Sequence, residues 1–360
     1  MKFYITITLV FSMLFPGDQN SIHHFFSDES PRYHRTVSNA KNFQEGLVVL
    51  QNPIHHYIYF GNEREKINDS LFLHCKKASG AQIRYSWKML EPDRDKYDFD
   101  AIKEDLAFLK AHGKKLFIQL NDATFDSNRI AIPNYLLEDS IYHGGASLQY
   151  EFEGKEQKPV KAGWTARRWD AAVRERFQKL FKALGKEFDG KIAGINLQET
   201  SLGIGMGPLR PKGFTYEIYR DGILDNMKAL KHAFPKTDCI QYANFMPGGY
   251  IPEENPEYLK SVYEFAKRNN VGVGGPDILV YKKGQMNNSY GLIRESAGIV
   301  PTGVAVQDGN YDHINPKTGK RVTVQEIYEF ARDYLKLKYI FWCIEEPYFS
   351  RDVIPFLNQL

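Results

Sequence analysis

Short runs rich in β-branched and aromatic residues recur along the chain, with amphipathic helical patterns between several of them. The runs are Gly46–Leu50, Gln82–Trp87, Lys115–Asn121, Ile192–Gln198, Cys239–Asn244, Val271–Gly275, Gly303–Gln307 and Tyr339–Ile344. The helices are equally legible. Asp100 is placed to cap a helix that carries Ile102, Leu106 and Leu109 on one face, and Gly113 ends it. Val173, Phe177, Leu180, Phe181, Leu184 and Phe188 keep i, i+3/i+4 spacing throughout. Thr323 and Glu326 form a capping box ahead of Ile327, Phe330, Ala331, Tyr334 and Leu335. Alternating strands and helices imply a parallel sheet covered on both faces. Eight such units are the number that closes a (β/α)8 barrel, an α/β TIM barrel in one domain with enlarged βα-loops. The largest insertion, about Ile130 to Gly163, follows the third run and is rich in Gly and Tyr.

The N-terminus has a different character. Met1-Lys2, the apolar run Phe3–Phe15 and Pro16-Gly17-Asp18 have the layout of a secretory signal, too short to span a bilayer. Residues 1–18 are therefore expected to be a leader, 19–41 a loose mature N-terminus and 42–360 the barrel. The expected location is secreted or periplasmic, with no membrane association beyond the leader. Cys75, Cys239 and Cys343 lie in or beside apolar runs, without a CxxC spacing, and read as buried free thiols.

Composition narrows the partner. With Lys+Arg 47 against Asp+Glu 44 the net charge is +3, and the sequence has no basic run that would mark a nucleic-acid binder. Aromatic residues make up 14% of the chain, with 22 Tyr, which suggests a surface that stacks against a ligand; Tyr142, Tyr150, Tyr216 and Tyr250 in the long loops are candidates. His residues show no metal-ligand spacing, Gly203-x-Gly205-x-Gly207 leads into Pro208 and not into a helix, and no G-x-S-x-G occurs. No metal and no cofactor is expected.

In a barrel, function gathers at the C-terminal ends of the strands. Those ends carry Arg84 and Trp87, Asn121-Asp122, Gln198-Glu199, Tyr242 and Asn244, Gly275-Pro276-Asp277, Gln307-Asp308, and Trp342 with Glu345-Glu346. Carboxylates, amides and flat rings suit a neutral, polyhydroxylated ligand. Two carboxyl groups, one protonated and one ionised, are what glycoside hydrolysis requires. Glu199 is the strongest single candidate, because it follows an apolar run and opens a Gly-rich loop.

Several segments resemble the (β/α)8 retaining glycoside hydrolases of clan A, particularly those of β-galactosidase type. They are Ile83–Pro92 with its Arg84, Trp87 and Glu91-Pro92, then Tyr97-Asp98-Phe99-Asp100, Ile132–Leu136, Trp169-Asp170 and Gly194–Glu199. The resemblance implies a glycosidase with Glu199 as general acid/base, Arg84 orienting the nucleophile, and Trp342 flooring the sugar site. Asn121, Asp122, Tyr242 and Asn244 would join them around the sugar. Two positions depart from the pattern: Gln198 stands where the family has Asn, and Gln307 where it has the nucleophilic Glu. The second carboxylate is then open between Asp308 and the pair Glu345/Glu346. If Trp342 faces the site, strand alternation brings Glu346 with it and turns Glu345 away. The rival expectation is a barrel that binds polysaccharide without turnover.

Overall fold

The computed structural model describes residues 53–153, 158–248 and 257–360. The expected leader, the N-terminal segment to residue 41, the run Gly46–Leu50 and Tyr250 lie outside the described residues. Eight parallel strands close a barrel: β1 (His55–Gly61), β2 (Ala78–Ser86), β3 (Lys115–Asn121), β4 (Gly194–Leu197), β5 (Asp238–Tyr242), β6 (Gly272–Gly275), β7 (Thr302–Val306) and β8 (Tyr339–Cys343). The expected (β/α)8 architecture is thus present, with one correction: the first strand is His55–Gly61, not Gly46–Leu50. β1 closes the ring by pairing with both β2 and β8, Tyr59 lying level with Cys343. Among the described residues no helix is long and apolar enough to cross a membrane.

The helices form where the sequence pattern places them. Val173, Phe177, Leu180, Phe181, Leu184 and Phe188 are all buried along helix Ala171–Phe188, which Asp170 caps by accepting from the N–H groups of Ala172 and Val173. Both bonds of the Thr323/Glu326 capping box are made. At Asp100 the expectation is corrected: Asp100 lies in the first turn and its N–H donates to the carboxylate of Asp98. The Gly- and Tyr-rich insertion folds as a hairpin, Ala146–Glu153 against Lys158–Ala166, joined to Ala123-Thr124 in a three-stranded sheet. Its Tyr150 N–H donates to Gly203 O at 2.7 Å, tying it to the loop that follows Glu199.

The Trp87–Glu91 motif has a structural role. Glu91 is fully buried and accepts from Trp87 Nε1 at 2.8 Å, from Asp95 N at 3.1 Å and from Arg176 on helix Ala171–Phe188. Trp87, also fully buried, packs on Phe177 with ring centroids 4.6 Å apart. The motif locks the turn after β2 to a helix and leaves Trp87 no surface for a ligand.

The interior of the barrel is graded. One level is aromatic, with the Phe117 ring 5.7 Å from Tyr57, 5.4 Å from Tyr339 and 4.8 Å from Phe341. Farther along β2, Gln82 Nε2 donates to Asn196 Oδ1 at 2.9 Å and to Tyr242 Oη at 3.0 Å. Next to these, Gln119 Oε1 accepts from Tyr59 Oη at 3.2 Å and from Arg84 Nε at 2.8 Å. Polarity rises toward the C-terminal mouth, where buried amides replace packed rings and each requires a partner.

Strands β6 and β7 approach too closely for a side chain on Gly274, whose Cβ would lie 1.6 Å from Gly303 O. Gly274→Ala should therefore destabilise the fold by about 3 kcal/mol. Gly291→Ala, in helix Ser289–Ser296 with nothing within 4 Å of the new Cβ, should gain about 0.5–1 kcal/mol. Chemical denaturation of the two variants beside the parent checks both signs.

Candidate active site

Glu199 stands two residues beyond the last residue of β4. A buried ion pair fixes its backbone. Arg168 donates to both carboxylate oxygens of Asp122, at 2.8 and 2.6 Å, and its Nη1 donates to Glu199 O at 2.8 Å. Tyr219 Oη, within 3.2 Å of the same guanidinium, donates to Thr200 O at 2.9 Å. Asp122 and Arg168 are only 3% and 4% exposed, so Asp122 is spent on this anchor and cannot also serve a ligand.

The side chain of Glu199 is set from the neighbouring strand. Asn244 Nδ2 donates to Glu199 Oε2 at 2.6 Å, while Asn244 Oδ1 accepts from Phe245 N at 3.0 Å, which fixes the amide's orientation. Glu199 is half-buried. Its pKa is pushed up to about 7, first by burial and next by the negative charge of Asp277; the Asn244 bond, Arg168 and Arg84 oppose the rise. Such a carboxyl holds its proton across much of the neutral range, the condition a general acid needs.

The remaining expected residues divide in two groups. Arg84 is half-buried at the mouth and lies over the Tyr59 ring, 5.6 Å from its centroid, with Nη2 donating to Tyr59 Oη. With Asn121, Ser86, Asn62, Thr124 and Arg129 it lines a cleft of about 230 Å³. Gln198 is buried and its Oε1 accepts from Ala123 N at 3.0 Å, so it braces β4 against the end of β3. Tyr242 is 1% exposed and belongs to the polar interior below the mouth. Gln307 is half-buried after β7, its N–H donating to Asn310 Oδ1.

Trp342 is not in the site. It is fully buried, faces the same side of the sheet as Ile58, and donates from Nε1 to His56 Nδ1 at 3.1 Å. The alternation along β8 is therefore opposite to the expectation, and it reverses the two glutamates. Cys343 faces inward and Glu345 accompanies it, accepting from Gly309 N at 2.9 Å. Glu346 is exposed and accepts from Ser350 N and Oγ, away from the mouth. Most strand-end aromatics share the fate of Trp342: Trp87, Tyr242 and Tyr311 are buried packing residues. Of the loop tyrosines, Tyr142 is buried while Tyr150 and Tyr216 are half-buried.

Among the described residues, Asp308, Cys343 and Glu345 bring one potential ligand atom each within 4.8 Å of one another. Burial and the neighbouring carboxylates hold the Cys343 thiol well above its usual range. All three cysteines are free and buried, as expected.

Two residues that sequence reasoning did not single out complete the mouth. Asp277, two residues past the end of β6, is half-buried and accepts from Asn310 Nδ2 at 3.0 Å. Burial raises its pKa, and the Asn310 bond opposes the rise. Arg168 is the other. Asp277 was legible as a carboxylate after a strand; Arg168 carried no sequence signal, since its role depends on Asp122 and Glu199 O meeting in space.

The raised pKa of Glu199 has a thermodynamic consequence. Between the ordinary carboxylate range and about 7 the folded state binds more protons than the unfolded state, so stability falls as pH rises through that window. Above it, Glu199 carries its full penalty. Glu199→Gln should be more stable than the parent at pH 8, by about 1–2 kcal/mol after allowance for partial solvent screening. The difference should vanish below about pH 4. Guanidinium titrations at the two pH values test this.

No family model matches the chain, and no curated protein matches it. Solved structures do resemble it. The catalytic domain of β-amylase from Paenibacillus polymyxa superposes with a TM-score of 0.52 and 10% identity, covering 81% of this chain and 92% of that one. Xylanase 10B from Thermotoga petrophila RKU-1, solved in complex with xylobiose, gives 0.50 and 13%, covering 85% and 87%. The likeness is one of fold: this chain is a closed (β/α)8 barrel like those two catalytic domains.

Proposed function

We propose that the protein is a glycoside hydrolase acting on O-glycosidic bonds of a neutral oligo- or polysaccharide, with Glu199 as the proton donor. The observation that carries this reading is a carboxyl group at the barrel mouth, held by Asn244, with its pKa near 7. That is the protonation state in which a carboxyl can donate to a departing glycosidic oxygen at neutral pH. The cleft beside Arg84 presents amide, hydroxyl and guanidinium groups together with Met89, Ile130 and Ala131, a mix suited to the hydroxyls and C–H faces of a sugar, and the near-balanced net charge favours a neutral ligand over a polyanion. The xylobiose held by the xylanase neighbour supports a carbohydrate as ligand.

A second reading, sugar binding without turnover, is favoured by the neutral Gln307 where the resembled family has its nucleophile. A screen of the parent protein against neutral oligosaccharides separates the two: binding with hydrolysis supports the enzyme, and binding alone supports the rival. On a hydrolysed substrate, Glu199→Gln should lower kcat by about 10²–10⁴-fold and leave calorimetric sugar affinity nearly unchanged. Retained turnover in that variant overturns the assignment.

A further inference from the structure

Building on the glycosidase reading, we propose that Asp277 is the partner carboxylate of Glu199, the base that activates the attacking water, and that hydrolysis inverts the anomeric centre. Three consecutive strand ends supply the geometry. Glu199, Asn244 and Asp277 each stand two residues beyond the last residue of β4, β5 and β6. Asn244 links the arc, since it donates to Glu199 while its Cβ lies 4.0 Å from the Cβ position of Gly275.

Asp277 is held as a working group would be. Asn310, 1% exposed, donates to Asp277 Oδ1 and accepts on its own Oδ1 from Ile278 N at 3.0 Å and Gln307 N at 3.2 Å. Tyr290 Oη donates to Asp277 O at 3.1 Å and accepts from Leu279 N at 2.7 Å. A buried amide and a buried phenol thus fix one turn and aim one carboxylate. The charge of Asp277 also contributes to keeping Glu199 protonated, which couples the two groups electrostatically.

The other acids fit the role less well. Gln307 has no charge to offer. Asp308 is exposed and gathers with Cys343 and Glu345 at the end of β8, and Glu346 is turned away onto Ser350. Spacing points to inversion. Neighbouring strands lie about 4.8 Å apart, so the backbones of β4 and β6, two steps apart with β5 between, stand roughly 9 Å from each other across the curved wall. Two carboxyl groups reaching into the mouth from backbones so placed leave room for a water between them, at the separation of about 6.5–9.5 Å that inversion uses; direct attack by a carboxylate needs about 5 Å.

The chemistry balances. Glu199 gives its proton to the glycosidic oxygen as the bond from that oxygen to the anomeric carbon breaks. A water oxygen bonds to the opposite face of that carbon, and its proton passes to Asp277. One water is consumed, and the products are an alcohol and a sugar hemiacetal of inverted configuration. Proton exchange with solvent then returns both carboxyls to their starting states.

The test uses the full chain. Proton NMR of the first product formed by the parent protein should show the inverted anomer; a retained anomer overturns the proposal without needing any variant. Asp277→Asn should lower kcat by about 10²–10⁴-fold with little change in KM, and Asp308→Asn should not. Carboxyl NMR gives a readout independent of turnover: the Glu199 midpoint should fall in Asp277→Asn and stay in place in Asp308→Asn. Wild-type kcat or an unmoved Glu199 midpoint in Asp277→Asn rejects the role of Asp277. If the parent hydrolyses and Glu199→Gln does not, that rejection leaves the glycosidase reading standing; a parent that hydrolyses no glycan removes both.

Discussion

The guanidinium of Arg168 joins parts of the chain that would otherwise have no reason to meet. It neutralises Asp122 at the end of β3, donates to the Glu199 carbonyl beyond the end of β4, and lies against Tyr219 on helix Tyr216–Ala233. Neither charge has water to fall back on, so each is tolerable only while the other is present. The result is positional: the backbone that carries the proton donor is held to the barrel wall by charge-assisted bonds.

The gradient inside the barrel builds on that anchor. Packed rings on one level give way to an amide layer, and the amide layer to charged groups at the mouth. Buried polar groups act as a scaffold only when their partners are supplied, and here β-strand register supplies them from non-adjacent strands, as Gln82 does with Asn196 and Tyr242. The same desolvation that makes this interior costly keeps the Glu199 carboxyl protonated. Destabilised charge at the mouth is thus tied to the chemistry proposed for it.

Much of this is legible in the sequence alone. Helix Ala171–Phe188 could be read residue by residue because one face is apolar and the other charged. β3 was delimited by its flanking turns, and the barrel followed from the count of strand–helix units. Where the expectation failed, the signal was absent for a physical reason. A parallel strand covered on both faces is apolar on both, so Tyr339–Cys343 gives no alternation to read. Trp342 and Cys343 were equally plausible inward residues, and the choice between Glu345 and Glu346 hung on that one parity. The first strand was misplaced because two short apolar runs compete there, and only pairing with β2 and β8 distinguishes them.

Local sequence, then, determined the strand–helix rhythm, the caps, the closed barrel and Glu199 as its most conspicuous acid, because these follow from periodicity and from chain position at a strand's end. Tertiary structure decided which strand-end groups meet. It withdrew Trp87 and Trp342 into packing, spent Asp122 on Arg168, turned Glu346 away and set Asp277 in the same arc as Glu199. Those outcomes rest on which face of each strand looks inward and on which distant residues arrive to satisfy a buried charge, and neither is written in any one stretch of the chain.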